Sequence, residues 1–321
     1  MKLLKRITAV FLAVTMLPCV VFAQGEEFSE NPFGDATVIF VSPNGSDKGD
    51  GTIDSPLATM DAARKMARTY SKNKDVYVVF RGGTYTVRDS VKFDVGDSGK
   101  ETGKVIYTSY PGEEAIFNAG EKVTGWTHYK DGIYVADVKE AENFREFYVD
   151  GVRQPRASEY VQGFGFDENQ KSVSVLTDAL PETITNQDCL ETLNTYKWRQ
   201  YWLPVERLFK EGAYTKIYYD TTPIQIYTSK FNFEWDAKTY IRIENAIEFL
   251  NEEGEWYFDK YKKKVYYMPP AGTDINKCEV YVPVAEKFIE FQGEGVSNCV
   301  QYLEFRDLKF IYAGYTKTSE E

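Results

Sequence analysis

The stretch VYVPVAEKFIEFQGEGVSNCVQYLEFRDLKFI, Val280 to Ile311, decides the fold. Its apolar runs are Val280-Tyr281-Val282, Phe288-Ile289-Glu290-Phe291, Val300 to Phe305 and Leu308 to Ile311, and no two-residue turn folds one run back onto the next. Their spacing is about that of one coil of a parallel β-solenoid. A coil cannot cover its own inner face, so each must stack on neighbours above and below. The expectation is an all-β chain, a right-handed parallel β-helix. The chain stops at Glu321 with no capping helix after its last strand. An open coil exposes a strand edge, which points to an amino-terminal piece of a longer protein or to frayed last residues.

Working upstream, Val76 to Arg81, Thr84 to Val87, Val105 to Thr108 and Ala115 to Asn118 are short strands broken by Gly82-Gly83, Gly96, Gly99, Gly103 and Pro111-Gly112. A still earlier strand, Val38 to Val41, runs into the turn cluster Ser42 to Thr52. The carboxylates of that cluster lack the distal bidentate Glu of a calcium loop, and Asx turns account for Asn and Asp beside Gly. No metal site is expected. A helix is predicted from Met60 to Tyr70, with Thr59 as N-cap and Met60, Ala63, Met66, Ala67 and Tyr70 along one side.

Between the two solenoid blocks the pattern changes. Asp150-Gly151 joins Phe147-Tyr148-Val149 to Val152-Arg153-Gln154, a two-residue hairpin signal of the type I′ kind. Further hairpins are predicted for Lys216 to Tyr219 with Ile224 to Thr228, and for Trp256 to Phe258 with Val265 to Tyr267. Residues 140–275 therefore read as an inserted antiparallel β-rich domain. Coils and the capping helix are assigned to 38–139 and resumed coils to 276–321.

Residues 1–23 have the form of a secretory signal peptide. Lys2, Lys5 and Arg6 are followed by the apolar run Ile7 to Leu17 and the cleavage site Val21-Phe22-Ala23, and a polar leader follows over 24–37. The apolar run is too short to span a bilayer, so a secreted or extracellular protein without a membrane anchor is expected, periplasmic in a Gram-negative cell. Losing those three cations takes the formal charge from −11 to −14. So acidic a chain, without a Lys/Arg stripe, is not expected to bind nucleic acid. The single His128 excludes His-dependent triads and His-rich zinc centres. Cys189, Cys278 and Cys299 permit one disulfide but no disulfide framework. No cofactor is expected.

Several segments resemble secreted β-helix proteins of the pectin-lyase-like superfamily, in particular the amino-terminal part of family 141 glycoside hydrolases. They are Val41 to Asp47, Gly51-Thr52, Ser55 to Thr59 with Ala62, Ala63 and Arg64, then Arg81 to Tyr85 and Tyr110 to Glu113. More specific are Phe147 to Arg153 with Pro155-Arg156-Ala157, Ile243 to Ala246 with Leu250, Gly254 to Asp259, and Val265 to Pro269. The resemblance implies that the helix plugs the solenoid and that a β domain interrupts its coils. It also implies that the catalytic acid pair of a glycosidase sits on coils beyond Glu321, so no catalytic residue is assigned. Glu304 and Asp307 are taken as solvated face residues.

The partner expected on this reading is a polysaccharide or oligosaccharide. Sugar rings stack on flat aromatic faces, with polar groups fixing their orientation. Trp198, Trp202 and Tyr315 are the candidate platforms, although packing inside a small β domain accounts for such aromatics too. Arg153 and Arg156, which follow the Asp150-Gly151 hairpin, are the candidate polar contacts, with Arg156 preferred, since a guanidinium fork suits a hydroxyl or carboxylate; pairing to a nearby acid is their structural alternative. Three functions compete: part of a glycoside hydrolase acting on plant or microbial polysaccharide, a non-catalytic polysaccharide-binding or adhesion module, and a polysaccharide lyase. The lack of a convincing calcium loop and the acidic balance weigh against the lyase.

Overall fold

The computed structural model describes residues 32–70, 72–167, 169, 171–196, 199–220 and 240–316. The expected signal peptide, most of the leader and Trp198 lie outside them.

The chain starts its winding with β1 (Thr37–Val41), crosses helix α1 (Met60–Thr69), and continues through β2 (Val76–Phe80), β3 (Gly83–Thr86), β4 (Val91–Asp94), β5 (Val105–Ser109) and β6 (Ala115–Asn118). It then leaves the winding. The excursion comprises β7 (Gly120–Lys122), β8 (Thr127–Lys130), β9 (Ile133–Asp137), β10 (Tyr148–Val149), β11 (Val152–Arg153), β12 (Ser158–Asp167), β13 (Ser172–Leu176), β14 (Glu191–Tyr196), β15 (Arg199–Glu211), β16 (Tyr214–Tyr219), β17 (Tyr240–Glu244), β18 (Trp256–Asp259), β19 (Lys264–Tyr267) and β20 (Val280–Pro283). The winding resumes with β21 (Ile289–Gln292), β22 (Leu303–Arg306) and β23 (Leu308–Ile311).

Three parallel sheets form the faces of a β-helix: β1-β2-β5-β22, β3-β6-β23 and β4-β21. In-register pairing stacks like on like inside it. Ile39, Val78, Tyr107 and Phe305 make one interior column, Tyr85, Phe117 and Phe310 a second, and Phe93 and Phe291 a third. Tyr107 lies parallel to Phe305 at 4.8 Å between ring centroids, and Phe117 to Phe310 at 5.2 Å. Each column covers the rings of its earlier coils, the condition inferred from the Val280–Ile311 spacing, while Phe291 and Phe310 on the last described coil stay exposed.

Helix α1 closes one end. Thr59 Oγ1 accepts the Ala62 N–H at 3.1 Å, and Met60, Ala63 and Ala67 are buried in the coil core. Its other side carries Arg64 and Arg68, which grip the buried Asp97 after β4. The carboxylates of the preceding turn cluster are used by backbone: Asp47 accepts from the Ala58 and Thr59 N–H groups and Asp50 from Thr52. Gly45 sits so close to Leu57 O, 2.2 Å from where a Cβ would stand, that no side chain fits.

The excursion leaves after Asn118 and returns before Ile289, so antiparallel pairing runs from β7 to β20. Strands β7 and β20 pair with each other, and Ala119 O accepts the Val284 N–H at 2.8 Å. Thus the two ends of the excursion are neighbours. Within it, β12-β13-β16-β15-β14-β17 close a six-stranded antiparallel barrel around Val161, Val175, Leu203, Ile217, Ile241 and Ile243. Two four-stranded sheets, β11-β10-β20-β7 and β18-β19-β9-β8, enclose a separate core of Trp126, Phe144, Phe147, Trp256, Phe258 and Tyr267. The Asp150-Gly151 turn has φ of 49° and 79°, as a type I′ turn requires. One predicted hairpin is replaced. Both edges of β16 are occupied, by β13 and β15, so its partners come from earlier in the chain, whereas Ile224 to Thr228 lie outside the described residues.

Candidate functional site

The outer wall of the barrel presents charge where the inner wall presents branched aliphatics. Along β17, Ile241 and Ile243 point into the core, which by the two-residue period of a strand turns Arg242 and Glu244 to the opposite face. Strand β17 lies between β12 and β14, and its register sets Glu244 opposite both Ser158 and Glu191. Two carboxylates facing each other across a ladder repel, and buried ones need a counter-charge.

Arginines supply it. Arg145, on the approach to β10, donates from Nε to both Glu191 oxygens at 3.1 and 2.9 Å and from Nη2 to Oε1. Arg156, just before β12, donates from Nη1 to Glu191 Oε2 and lies 3.6 Å from Glu244 Oε2. Arg242 pairs with Glu244 Oε1. Burial by itself would push the Glu191 carboxyl upward, but Arg156 and Arg145 overcome that and hold it down to about 2. Glu191 is therefore a fixed anion and no proton donor at ordinary pH.

Above this base lies a cleft of about 480 Å³ lined by Arg145, Arg153, Arg156, Arg242, Glu244, Trp202 and neighbouring residues including Gln154, Gln200 and Leu193. Trp202 sits on β15 opposite Leu193, half-buried, with the Arg145 guanidinium 5.6 Å from its ring centroid. The last described segment of the chain reaches the same place. Arg145 Nη1 donates to Tyr315 O at 3.1 Å, Glu146 accepts the Tyr315 N–H at 3.2 Å, and the Tyr315 ring stands 6.5 Å from that of Trp202. Glu146 is buried and also meets Arg153 at 3.3 Å. Burial pushes its carboxyl above the usual carboxylate range, against the pull of Arg153.

The sequence-predicted residues Arg156, Trp202 and Tyr315 thus converge on one cleft, although they lie far apart in the chain. Trp198 falls outside the described residues. Arg156 forms the floor, its side chain 5% exposed, while Tyr315 is half exposed at the rim. Sequence reasoning missed Arg145, Arg242, Glu191 and Glu244. The alternation Ile241-Arg242-Ile243-Glu244 signals that the two charged groups share a face, but only the barrel register reveals that Glu191 stands opposite.

A larger cavity, about 740 Å³, opens beside α1 and the β3–β4 connection. Its walls include the coil aromatics Tyr85, Phe117, Phe288 and Phe310, and its arginines are engaged, Arg64 by Asp61 and Asp97 and Arg88 by Glu140. The arginine cleft carries more of the polar chemistry that orients a ligand. Glu304 and Asp307 lie on the outside of the coils, Glu304 paired with Lys104 and Arg306.

Residues 132–270 match the family described as "GH141 insertion domain", which contains the barrel and most of the cleft. A solved structure titled "Glycoside hydrolase" superposes with a TM-score of 0.75 at 24% identity, covering 87% of this chain and 51% of its own. Pectate lyase PEL9 of Emericella nidulans is 36% identical over 90 residues, 28% of this chain and 20% of that protein. The chain spans about half the length of the solved structure and a fifth of the lyase. The insertion is thus similar to the GH141 insertion domain, and the chain shares the fold of the solved glycoside hydrolase and a shorter stretch of sequence with the pectate lyase.

Proposed function

We propose that this chain belongs to a secreted carbohydrate-active protein of the glycoside hydrolase kind, acting on plant or microbial polysaccharide, and that the cleft on the barrel wall holds the glycan. One observation carries the reading. Trp202 lines the arginine cleft, and Tyr315, from the segment after the last coil strand, meets its ring edge-on at 6.5 Å and 62°. Flat rings bind the C–H faces of sugars while fixed polar groups set their orientation. Because one group comes from the insertion and the other from beyond β23, the site depends on how the chain is folded rather than on any one element.

The cleft is read first as a binding surface, because two of its carboxylates, Glu191 and Glu244, are committed to arginines, while a glycosidase needs a pair of carboxyl groups, one of them able to give up a proton. A non-catalytic polysaccharide-binding module is therefore the second reading, favoured by that commitment. Titration calorimetry of the chain against a panel of neutral and acidic oligosaccharides tests the binding. Trp202→Ala and Tyr315→Ala are each expected to lower affinity about fivefold to tenfold, the range for a pocket aromatic worth ~1 to 1.4 kcal/mol. Unchanged affinity in both variants removes the cleft from consideration. Assaying a longer form for reducing ends separates hydrolase from binding module.

A further inference from the structure

We propose that the glycan site reaches beyond the cleft and takes an extended oligosaccharide, with the rings of Tyr160 and Tyr240 as a second stacking station across the barrel face from Trp202. The inference rests on the glycan-binding reading and names the ligand class for that site: a chain of several sugar units rather than one or two.

The strand register puts the stations in line. Tyr160 on β12 stands opposite Arg242 on β17, Arg242 opposite Leu193 on β14, and Leu193 opposite Trp202 on β15. Residues directly opposite across a ladder share a face, so these side chains form one row across adjacent strands. From Tyr160 to Trp202 the row covers three strand spacings, about 14 Å, wider than a single sugar ring. Tyr240 lies two residues before Arg242 on the same strand and turns to the same side, since Ile241 and Ile243 point into the core. The cleft itself is lined from Ser158 on β12 to Gln200 and Trp202 on β15. These strands therefore present one surface rather than opposite sides of a cylinder.

Exposure picks out the same residues. Among the described residues four tyrosines are more than half exposed: Tyr160 at 67%, Tyr261 at 62%, Tyr240 at 61% and Tyr315 at 51%. Tyr261 donates to Asp188 from the turn between β18 and β19. Tyr160 and Tyr240 stand on the barrel face, and Tyr315 meets Trp202 at its edge. Apolar rings exposed singly need no explanation, whereas several gathered on one face mark an interaction surface.

Continuity names the occupant. The row runs out of the cleft without a break in the sheet, so a chain seated at Trp202 is carried on over Arg242 toward Tyr160 and Tyr240. Between the ring stations are groups that meet hydroxyls. The Arg242 guanidinium donates to the Tyr160 hydroxyl and pairs with Glu244, which holds it in place, and Gln200 lines the cleft beside Trp202. Flat rings with fixed polar groups between them suit a saccharide, whose apolar C–H faces alternate with hydroxyls.

The test titrates the full chain with oligosaccharides of graded size, dimer to hexamer, from β-xylan, β-galactan and homogalacturonan. In a series that binds, affinity is expected to rise about tenfold from dimer to hexamer. The double variant Tyr160→Ala with Tyr240→Ala, at exposed positions and checked for an unchanged circular dichroism spectrum, is expected to lose most of that rise while the dimer stays within about twofold. Tyr160→Phe with Tyr240→Phe keeps the rings and is expected to keep the rise. Trp202→Ala is expected to weaken dimer and hexamer by the same factor. Equal affinity for dimer and hexamer, or a double alanine variant that holds the hexamer as tightly as the parent, overturns the second station and leaves the cleft standing. A loss shared equally by dimer and hexamer overturns it too. If the alanine variant instead loses self-association in sedimentation with saccharide binding unchanged, the face belongs to a second copy of the chain and the proposal falls. No binding of any saccharide overturns the glycan-binding reading itself, and the inference with it.

Discussion

Glu191 shows how much one side chain can organise. It is called for neither by its neighbours in sequence nor by any hydrophobic pattern, yet two buried guanidiniums depend on it. Breaking a buried ion pair by removing one partner strands the other charge, at a cost of about 3–5 kcal/mol. Glu191→Gln is therefore expected to lower unfolding stability by that order in urea denaturation, far more than an exposed Glu→Gln substitution such as at Glu142. Acid has a related effect. The folded-state pKa of Glu191 is about 2, below the ordinary 4.5, so its contribution is complete above about pH 4.5 and is lost as pH falls toward 2. At ~1.36 kcal/mol per pKa unit the loss amounts to about 3 kcal/mol. Glu146 acts with the opposite sign: its pKa is raised by burial, so it favours the folded state near and below 4.5 and disfavours it as pH rises. A stability profile should therefore fall steeply on the acid side, and Glu191→Gln should flatten that limb. An unchanged slope in the variant would count against the assigned role.

The elements that were legible in sequence are those whose local chemistry agrees with the fold. Thr59 caps α1 as its position predicts, and the apolar side of the helix faces the coils. Thr59 is tied down twice, since its hydroxyl also meets Asp47 at 2.9 Å. Thr59→Ala is expected to cost ~1–2 kcal/mol, the upper range for an N-cap, read as a lowered thermal midpoint. The hairpins at Asp150-Gly151 and Trp256–Tyr267 were likewise readable, because their turns dictate pairing between neighbours in sequence. The barrel was not. Three of its pairs join strands consecutive in sequence, but its closure rests on β13 with β16, β14 with β17 and β12 with β17, non-local pairings that no turn residue encodes. The segments Pro155-Arg156-Ala157, Asn245 and Trp256, conspicuous in the sequence, turn out to be knitted together: Ala157 N–H donates to Trp256 O, Asn245 N–H to Ala157 O, and Phe258 N–H to Asn245 Oδ1. Of the cleft, its aromatics and the arginines beside the Asp150-Gly151 hairpin, Arg153 and Arg156, were readable by residue type. Arg145, Arg242 and the carboxylates Glu191 and Glu244 needed the register.

At the scale of the whole molecule, the arrangement of cores matters more than any single contact. The coil core draws on residues 39–117 and 288–308 and on none from the excursion, while the barrel and the small sheets have cores of their own. The excursion also begins and ends on adjacent strands, with Gly120 opposite Pro283 and Lys122 opposite Tyr281. A two-residue Asn-Gly turn can therefore join Lys122 to Tyr281 as a hairpin without moving either coil strand, and shortening a loop lowers its closure entropy cost. The spliced chain loses the contacts of Arg145, Glu146 and Tyr148 with the segment around Tyr315, but keeps all three interior columns. It is expected to retain a β-type circular dichroism spectrum and cooperative unfolding, and to lose glycan binding entirely. If the splice instead abolished cooperative unfolding, the coils would owe their stability to the excursion, and the separation of cores would not correspond to separate folding units.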